Sequence, residues 1–249
     1  MCTGWTSPSG HPTLTPGTVH VWRLSLDRPA AEIDSLKSNL SDDELVRAER
    51  YKFDRHGRRF IACRGQVRRI LANYLRADVR QLSVQYGPQG KPALAAPWSD
   101  SGIEYNVSHS NELALCALAL HRELGVDIEH LRTPYNFEGV AAQFFATEEV
   151  AVLRGLSDQA RLTAFFHCWT RKEAVLKAVG AGLSIPLNRV VVSLAPQEPA
   201  AVLNFADPSG GSNDWWMENL DPSPGYVGAI AAPGSPLETM LWQFNPAIE

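Results

Sequence analysis

Gly125-Val126-Asp127-Ile128-Glu129 stands at the middle of the 249-residue chain, and its reading decides the fold. Side chains alternate faces along a strand. Asp127 and Glu129 therefore point one way, while Val126 and Ile128 point into a core. Two like charges on one face repel unless a cation sits between them. The strand, read as residues 124–130, also divides the chain: on each side of it helices come first and strands follow.

Upstream, residues 19–26 read as a first strand and residues 31–39 as a short helix. Ser41, with Glu44 three residues on, is a capping-box signature that opens a second helix at Asp42. A longer helix covers residues 56–75. There Phe60, Cys63, Val67, Ile70, Leu71 and Tyr74 recur at spacings of three and four, leaving Arg58, Arg59, Arg64 and Arg68 mostly off that face. Residues 82–86 form a weak strand, Gly87-Pro88-Gln89-Gly90-Lys91-Pro92 a turn, and residues 95–102 a loop. Two strands, residues 103–107 and 112–120, flank Ser108-His109-Ser110-Asn111.

Downstream, helices are expected over residues 137–145, 147–156 and 158–179, the last capped by Ser157 and stopped at Gly180. Strands at 190–194, 201–205, 215–220, 226–231 and 240–244 follow, separated by turns such as Asp207-Pro208-Ser209-Gly210-Gly211. Arg59-Phe60-Ile61-Ala62-Cys63-Arg64 and Ala164-Phe165-Phe166-His167-Cys168-Trp169 occupy comparable places about 105 residues apart, which points to an internal duplication.

The apolar fraction of 45% and charged fraction of 20% are those of an ordinary globular protein. No stretch approaches the ~18–20 apolar residues of a membrane helix. Residues 1–17 are rich in Pro, Gly, Ser and Thr, with neither a basic start nor an apolar segment. They read as a flexible tail rather than a signal peptide. Cys2, Cys63, Cys116 and Cys168 are too scattered for a metal site, so buried thiols in a reducing cytoplasm are expected. The net charge of −4 hides an asymmetry: Arg47 to Arg80 carries +8, leaving −12 elsewhere. Such a basic segment suits an anionic partner (phosphates, an acidic protein or nucleic acid). The plain alternative is a solvated helix face.

The last helix contains Trp169-Thr170-Arg171-Lys172-Glu173-Ala174-Val175-Leu176-Lys177, with Glu173 and Lys177 four apart on one face. Should that face meet the strand of Asp127 and Glu129, three carboxylates and an amine converge. Three carboxylates suit Mg²⁺, a hard ion that keeps waters or substrate phosphates in its remaining positions. A neighbouring lysine suits a phosphate in transfer. The competing reading of Glu173 and Lys177 is a surface ion pair.

Gly90-Lys91-Pro92, Asn106-Val107-Ser108-His109-Ser110, Gly125-Val126-Asp127-Ile128-Glu129, and residues 165–183 (FFHCWTRKEAVLKAVGAGL) with Ser184-Ile185-Pro186-Leu187 occur in that order. Together they resemble the 4′-phosphopantetheinyl transferases of the long, broad-specificity (Sfp-like) type, over residues 19–231. The Trp-x-x-Lys-Glu-Ala-x-x-Lys-x-x-Gly-x-Gly-Leu segment is the most specific part.

The resemblance implies an α+β pseudo-dimer of two similar halves. Each half packs helices on a small antiparallel sheet, and the active site lies at their junction. The corresponding division is a tail at 1–17, halves at 18–122 and 123–233, and a strand or tail at 234–249. It implies a cytoplasmic, monomeric enzyme that moves phosphopantetheine from coenzyme A to a serine of an apo acyl or peptidyl carrier protein, releasing adenosine 3′,5′-bisphosphate. Such activation serves fatty-acid, polyketide or nonribosomal peptide biosynthesis. Asp127, Glu129 and Glu173 correspond to Mg²⁺ ligands and Lys177 to the lysine near the transferring phosphate. Glu173, or Glu129 through a water, corresponds to the base. Ser108 and His109 resemble contacts to the 3′-phosphate, and Lys91, Pro92 and Lys172 match positions near the nucleotide. Arg55 and Arg59 are the phosphate contacts expected from the basic helix.

A metal-dependent nuclease is the rival enzyme class, because paired acids with Glu-x-x-x-Lys and a basic helix could serve it. The acidic overall balance and the Ser-His-Ser and Gly-Lys-Pro segments argue against nucleic acid as partner. A non-catalytic module that binds carrier protein or coenzyme A has no need of the carboxylate triad.

Overall fold

The computed structural model describes residues 4–132, 136–180, 182–206 and 214–245, so the turn expected at 207–211 lies outside the described residues. One half comprises β1 (Thr18–Ser25), α1 (Ala30–Lys37), α2 (Asp42–Glu49), α3 (Asp54–Leu75), the hairpin β2 (Val84–Tyr86) and β3 (Pro92–Leu94), β4 (Ile103–Ser110) and β5 (Leu113–Leu120). The other comprises β6 (Gly125–His130), α4 (Phe137–Phe144), α5 (Thr147–Gly155), α6 (Asp158–Val179), the pair β7 (Val191–Val192) and β8 (Val202–Asn204), β9 (Trp215–Leu220) and β10 (Tyr226–Pro233). Strand pairing repeats as well. β5 lies antiparallel between β1 and β4, and β10 lies antiparallel between β6 and β9. Helices α3 and α6 have 22 residues each. The α+β pseudo-dimer expected from the sequence is thus present in element order and topology.

Alternation along the strands sorts the core into three layers of apolar side chains. Trp22, Leu24, Ala114, Cys116 and Leu118 pack under α1–α3. Val227, Ala229 and Ala231 pack under α4–α6. Val19, Val21, Leu115, Ala117, Val126, Ile128 and Ile230 fill the space between the two sheets. This explains the unbroken apolar run of β5, which is buried on both faces. It also places Val126 and Ile128 against the other half, while Asp127 and Glu129 face α6.

The last strand does not extend the second half. β11 (Glu238–Gln243) pairs in parallel with β1, giving the first sheet the order β11-β1-β5-β4. Residues before β1 also make contacts with the body of the fold. Thr6 bridges to Trp242, the Trp5 indole N–H donates to the Asp221 carbonyl at 2.8 Å, Arg23 stacks over Trp5, and Leu14 is buried. Pro, Gly and Ser prevent regular structure here without preventing docking. β4 likewise runs on through Ser108 and Ser110 instead of ending at Val107, because their hydroxyls find partners on β6.

The capping-box glutamate of α2 does more than cap. Glu44 accepts from the Ser41 N–H at 3.1 Å and from Arg68 of α3 at 2.6 Å, both side chains being buried, and Arg68 also donates to the Leu82 carbonyl at 3.0 Å. The same device recurs 104–105 residues later. Glu149 of α5 accepts from the Ala146 N–H at 2.8 Å and from buried Lys172 of α6 at 2.6 Å, and Lys172 donates to the Leu187 carbonyl at 3.0 Å. The duplication hinted at by Phe60 and Phe165 is therefore written into a repeated buried ion pair.

Candidate active site

Helix α6 lies directly on β6 because residue 125 is glycine. A Cβ there would stand 2.0 Å from the Ala174 carbonyl oxygen and 2.4 Å from the Ala178 nitrogen, backbone atoms that cannot rotate away. Gly125→Ala should therefore push helix and strand apart and cost about 1–3 kcal/mol. A thermal melt checks this, and an unshifted melting temperature would show that the contact is loose. The close approach puts the helix face carrying Glu173 and Lys177 opposite Asp127 and Glu129. At its far end α6 stops at Gly180, in the left-handed conformation at φ +67°.

Asp127 is buried. Its Oδ1 accepts from the Ser108 hydroxyl at 2.7 Å and from the Lys177 ammonium at 2.6 Å, and Lys177 also donates to Ser108 Oγ at 2.8 Å. Lys177 thus pairs across elements with Asp127 rather than forming a surface pair with Glu173. Asp127 Oδ2 is buried without a hydrogen-bond partner. Glu129 accepts from the Ser110 hydroxyl at 2.7 Å. Burial pushes the Glu173 carboxyl above the ordinary range, and the charges of Asp127 and Glu129 add to this against Lys177. Burial likewise raises Glu129, with the Ser110 hydrogen bond opposing and Asp127 assisting.

Among the described residues no group of three or more His, Cys, Asp or Glu side chains is gathered so as to hold a metal ion. What the residues offer is a set of hard oxygen donors: Lys177 pairs with Asp127, Glu129 and Glu173 lie within electrostatic reach of that pair, and Asp127 Oδ2 has no donor. That set fits a divalent ion of the Mg²⁺ type, which takes a few carboxylates and leaves its other positions to water or phosphate.

His109 points to the opposite face of β4 from Ser108 and opens to solvent. Surrounding protein holds its pKa below the ordinary value, and the positive charges of Lys177, Arg64 and Arg47 act in the same sense. Arg47 and Arg64 both stack on Phe60, and Arg64 also on Tyr86. A cationic, aromatic-backed wall of α2 and α3 therefore stands beside His109. Lys91 meets Glu123 and donates to the Ala178 carbonyl at 2.8 Å, which docks the Gly-Lys-Pro turn on the end of α6. Pro92 opens β3 beside it.

Other expected contacts are placed elsewhere. Arg59 is held by both oxygens of Asp27 at 2.7 Å each and also donates to Asn111, while Arg55 is 3.5 Å from Asp27. Asp27 lies outside the basic segment, so it was invisible to a local count of charge. Lys172 is fully buried, paired with Glu149 and faced by the Phe145 ring, so its ammonium is engaged inside the second half. Ser108 turns its hydroxyl inward to Asp127 and Lys177 instead of outward to a phosphate. The residues missed by sequence reasoning are Asn106 and Ser110. Their signal was the period-two run Asn106-x-Ser108-x-Ser110 in a strand about twenty residues before the acids.

The profile of the 4′-phosphopantetheinyl transferase superfamily matches residues 123–231, and that of the 4′-phosphopantetheinyl transferase N-terminal region matches residues 28–121. The 4′-phosphopantetheinyl transferase HetI of Nostoc sp. is 38% identical over 240 residues, covering 96% of this chain and 98% of that protein. The 4′-phosphopantetheinyl transferase gsp of Aneurinibacillus migulanus is 30% identical, covering 61% of each chain. The 4′-phosphopantetheinyl transferase Sfp of Bacillus subtilis is 24% identical, covering 85% of this chain and 91% of that protein. The chain belongs to the 4′-phosphopantetheinyl transferase superfamily. No helix among its described residues is long and apolar enough to cross a membrane.

Proposed function

We propose that the protein transfers the 4′-phosphopantetheine group of coenzyme A to a serine hydroxyl of an apo carrier protein, with Mg²⁺ required and adenosine 3′,5′-bisphosphate released. The observation that supports this most is the Asp127–Lys177 pair with Glu129 and Glu173 within electrostatic reach of it, in which Asp127 keeps one buried oxygen unpaired. Asp127, Glu129 and Glu173 would hold the ion, which when bound offsets charge on the pyrophosphate.

The remaining roles belong to the chain's own side chains. Lys177 stabilises negative charge on the phosphate that departs. Glu173 takes the serine proton: it accepts no hydrogen bond among the described residues, and its raised pKa moves it toward the range a base needs. Glu129, engaged by Ser110, acts in that role only through a water. His109, with Arg47 and Arg64 nearby, offers cationic and hydrogen-bonding partners for the 3′-phosphate, and Lys91 stands at the end of α6.

One incubation tests the reading. The full chain, coenzyme A, Mg²⁺ and a panel of apo acyl and peptidyl carrier proteins are mixed, and each carrier is weighed by mass spectrometry. Added phosphopantetheine that disappears with a chelator is expected, together with adenosine 3′,5′-bisphosphate by chromatography. Absence of transfer to every carrier, or transfer indifferent to chelation, refutes it.

A further inference from the structure

β4 and β6 are the facing edges of the two sheets, yet no backbone ladder joins them. Side chains do so instead. Three residues at alternate positions of β4 reach across. Asn106 Oδ1 accepts from the Val126 N–H at 3.0 Å. Ser108 Oγ donates to Asp127 Oδ1 at 2.7 Å. Ser110 Oγ donates to Glu129 Oε2 at 2.7 Å and accepts from the His130 N–H at 3.1 Å. Asn106 and Ser108 are buried.

The consequence for the carboxylates is specific. A free aspartate rotates about χ2 and presents either oxygen with equal ease. Asp127 cannot, because Ser108 Oγ, Lys177 Nζ and Asp127 Oδ1 form a closed triangle with sides of 2.6, 2.7 and 2.8 Å. The ammonium is thereby kept on Oδ1, and Oδ2 stays buried and open. Without the serine hydroxyl, Lys177 could swing to Oδ2 and take the place of a cation there. Ser110 pins one oxygen of Glu129 in the same manner, and its own orientation is fixed by the His130 N–H.

We propose that Ser108 and Ser110 are positioning residues: they determine which oxygen of Asp127 and of Glu129 faces a divalent cation, and Ser108 also keeps Lys177 from competing for it. This rests on the reading of Asp127, Glu129 and Glu173 as the metal-holding set. The residues act from the first half of the chain on acids of the second, so the cation site is shared between halves although all three carboxylates come from one.

The test measures binding rather than turnover. Mn²⁺ is titrated into the full-length protein, with and without coenzyme A, and free ion is read by electron paramagnetic resonance. Wild type, Ser108→Ala, Ser110→Ala and Ser110→Thr are compared, each with a thermal melt. Partners that orient ligating carboxylates alter metal affinity by roughly 10–100-fold. A loss of that size is expected for each alanine variant, with recovery in Ser110→Thr, which retains the hydroxyl on a strand position. Wild-type binding with unchanged affinity in both alanine variants would overturn the positioning role alone. No Mn²⁺ binding by wild type under either condition would overturn the metal-site reading and the proposal with it. Weakened binding in Ser110→Ala that tracks a collapsed melting temperature, and is not restored by threonine, would mark the ladder as structural only and reject the proposal.

Discussion

Glu173→Gln is expected to reduce phosphopantetheine transfer by about a thousandfold or more while leaving the protein folded. The side chain would lose a charge that serves both the ion and the serine proton, and removal of one such group costs about 10²–10⁴ in rate. Its effect on stability should have the opposite sign to that of an ordinary buried-charge deletion. The Glu173 pKa is raised in the folded protein, so the ionised form is penalised there. That penalty is present above the folded-state pKa and relieved as pH falls through it. Glutamine never carries it, so at neutral pH the variant should melt at the wild-type temperature or above. Mass analysis of the carrier reads the first effect and a thermal melt the second. Near-wild-type transfer would refute the role of Glu173, and a sharply lowered melting temperature would show that the glutamate is structural.

Lys172→Met should do the reverse: unfold the protein at lower temperature with little change in the KM for coenzyme A. Methionine keeps most of the apolar stem of the lysine but leaves Glu149 charged and buried, with the backbone N–H groups of Ala146 and Val192 and the weakly donating Cys168 thiol as its remaining partners. Breaking a buried pair from one side costs about 3–5 kcal/mol. For a chain of this size each kcal/mol lowers the melting temperature by about 2–4 °C. The double variant Glu149→Gln with Lys172→Met should recover part of the loss, since no lone charge remains. A Lys172→Met protein of normal stability with a raised KM would return the lysine to the nucleotide site.

Legibility of the chain followed the range of the interactions involved. Elements set by local pattern were readable: α6 has the expected bounds, Ser41 and Glu44 begin α2, and Gly180 ends α6. The face assignment of Asp127 and Glu129 was readable too, since it depends only on alternation. What depended on distant partners was not. Lys172 and Arg68 look alike to a nucleotide-binding lysine or a solvated arginine until Glu149 and Glu44 are placed beside them. The pairing of Arg59 with Asp27 was not legible either, because Asp27 lies outside the basic segment. The polar run of β4 looked like a loop because its partners, on β6, belong to the other half.

β11 has a bearing on how the molecule is made. Its hydrogen bonds to β1 mean that the first sheet receives its outer strand from residues more than 200 positions downstream. During synthesis, α3 and the β1-β5-β4 sheet emerge from the ribosome long before residues 238–243 do. For that interval the β1 edge, with its unpaired N–H and C=O groups, is open to any passing strand. The two halves are thus sequential in the gene yet close only together, and a break anywhere between them separates a strand from its sheet.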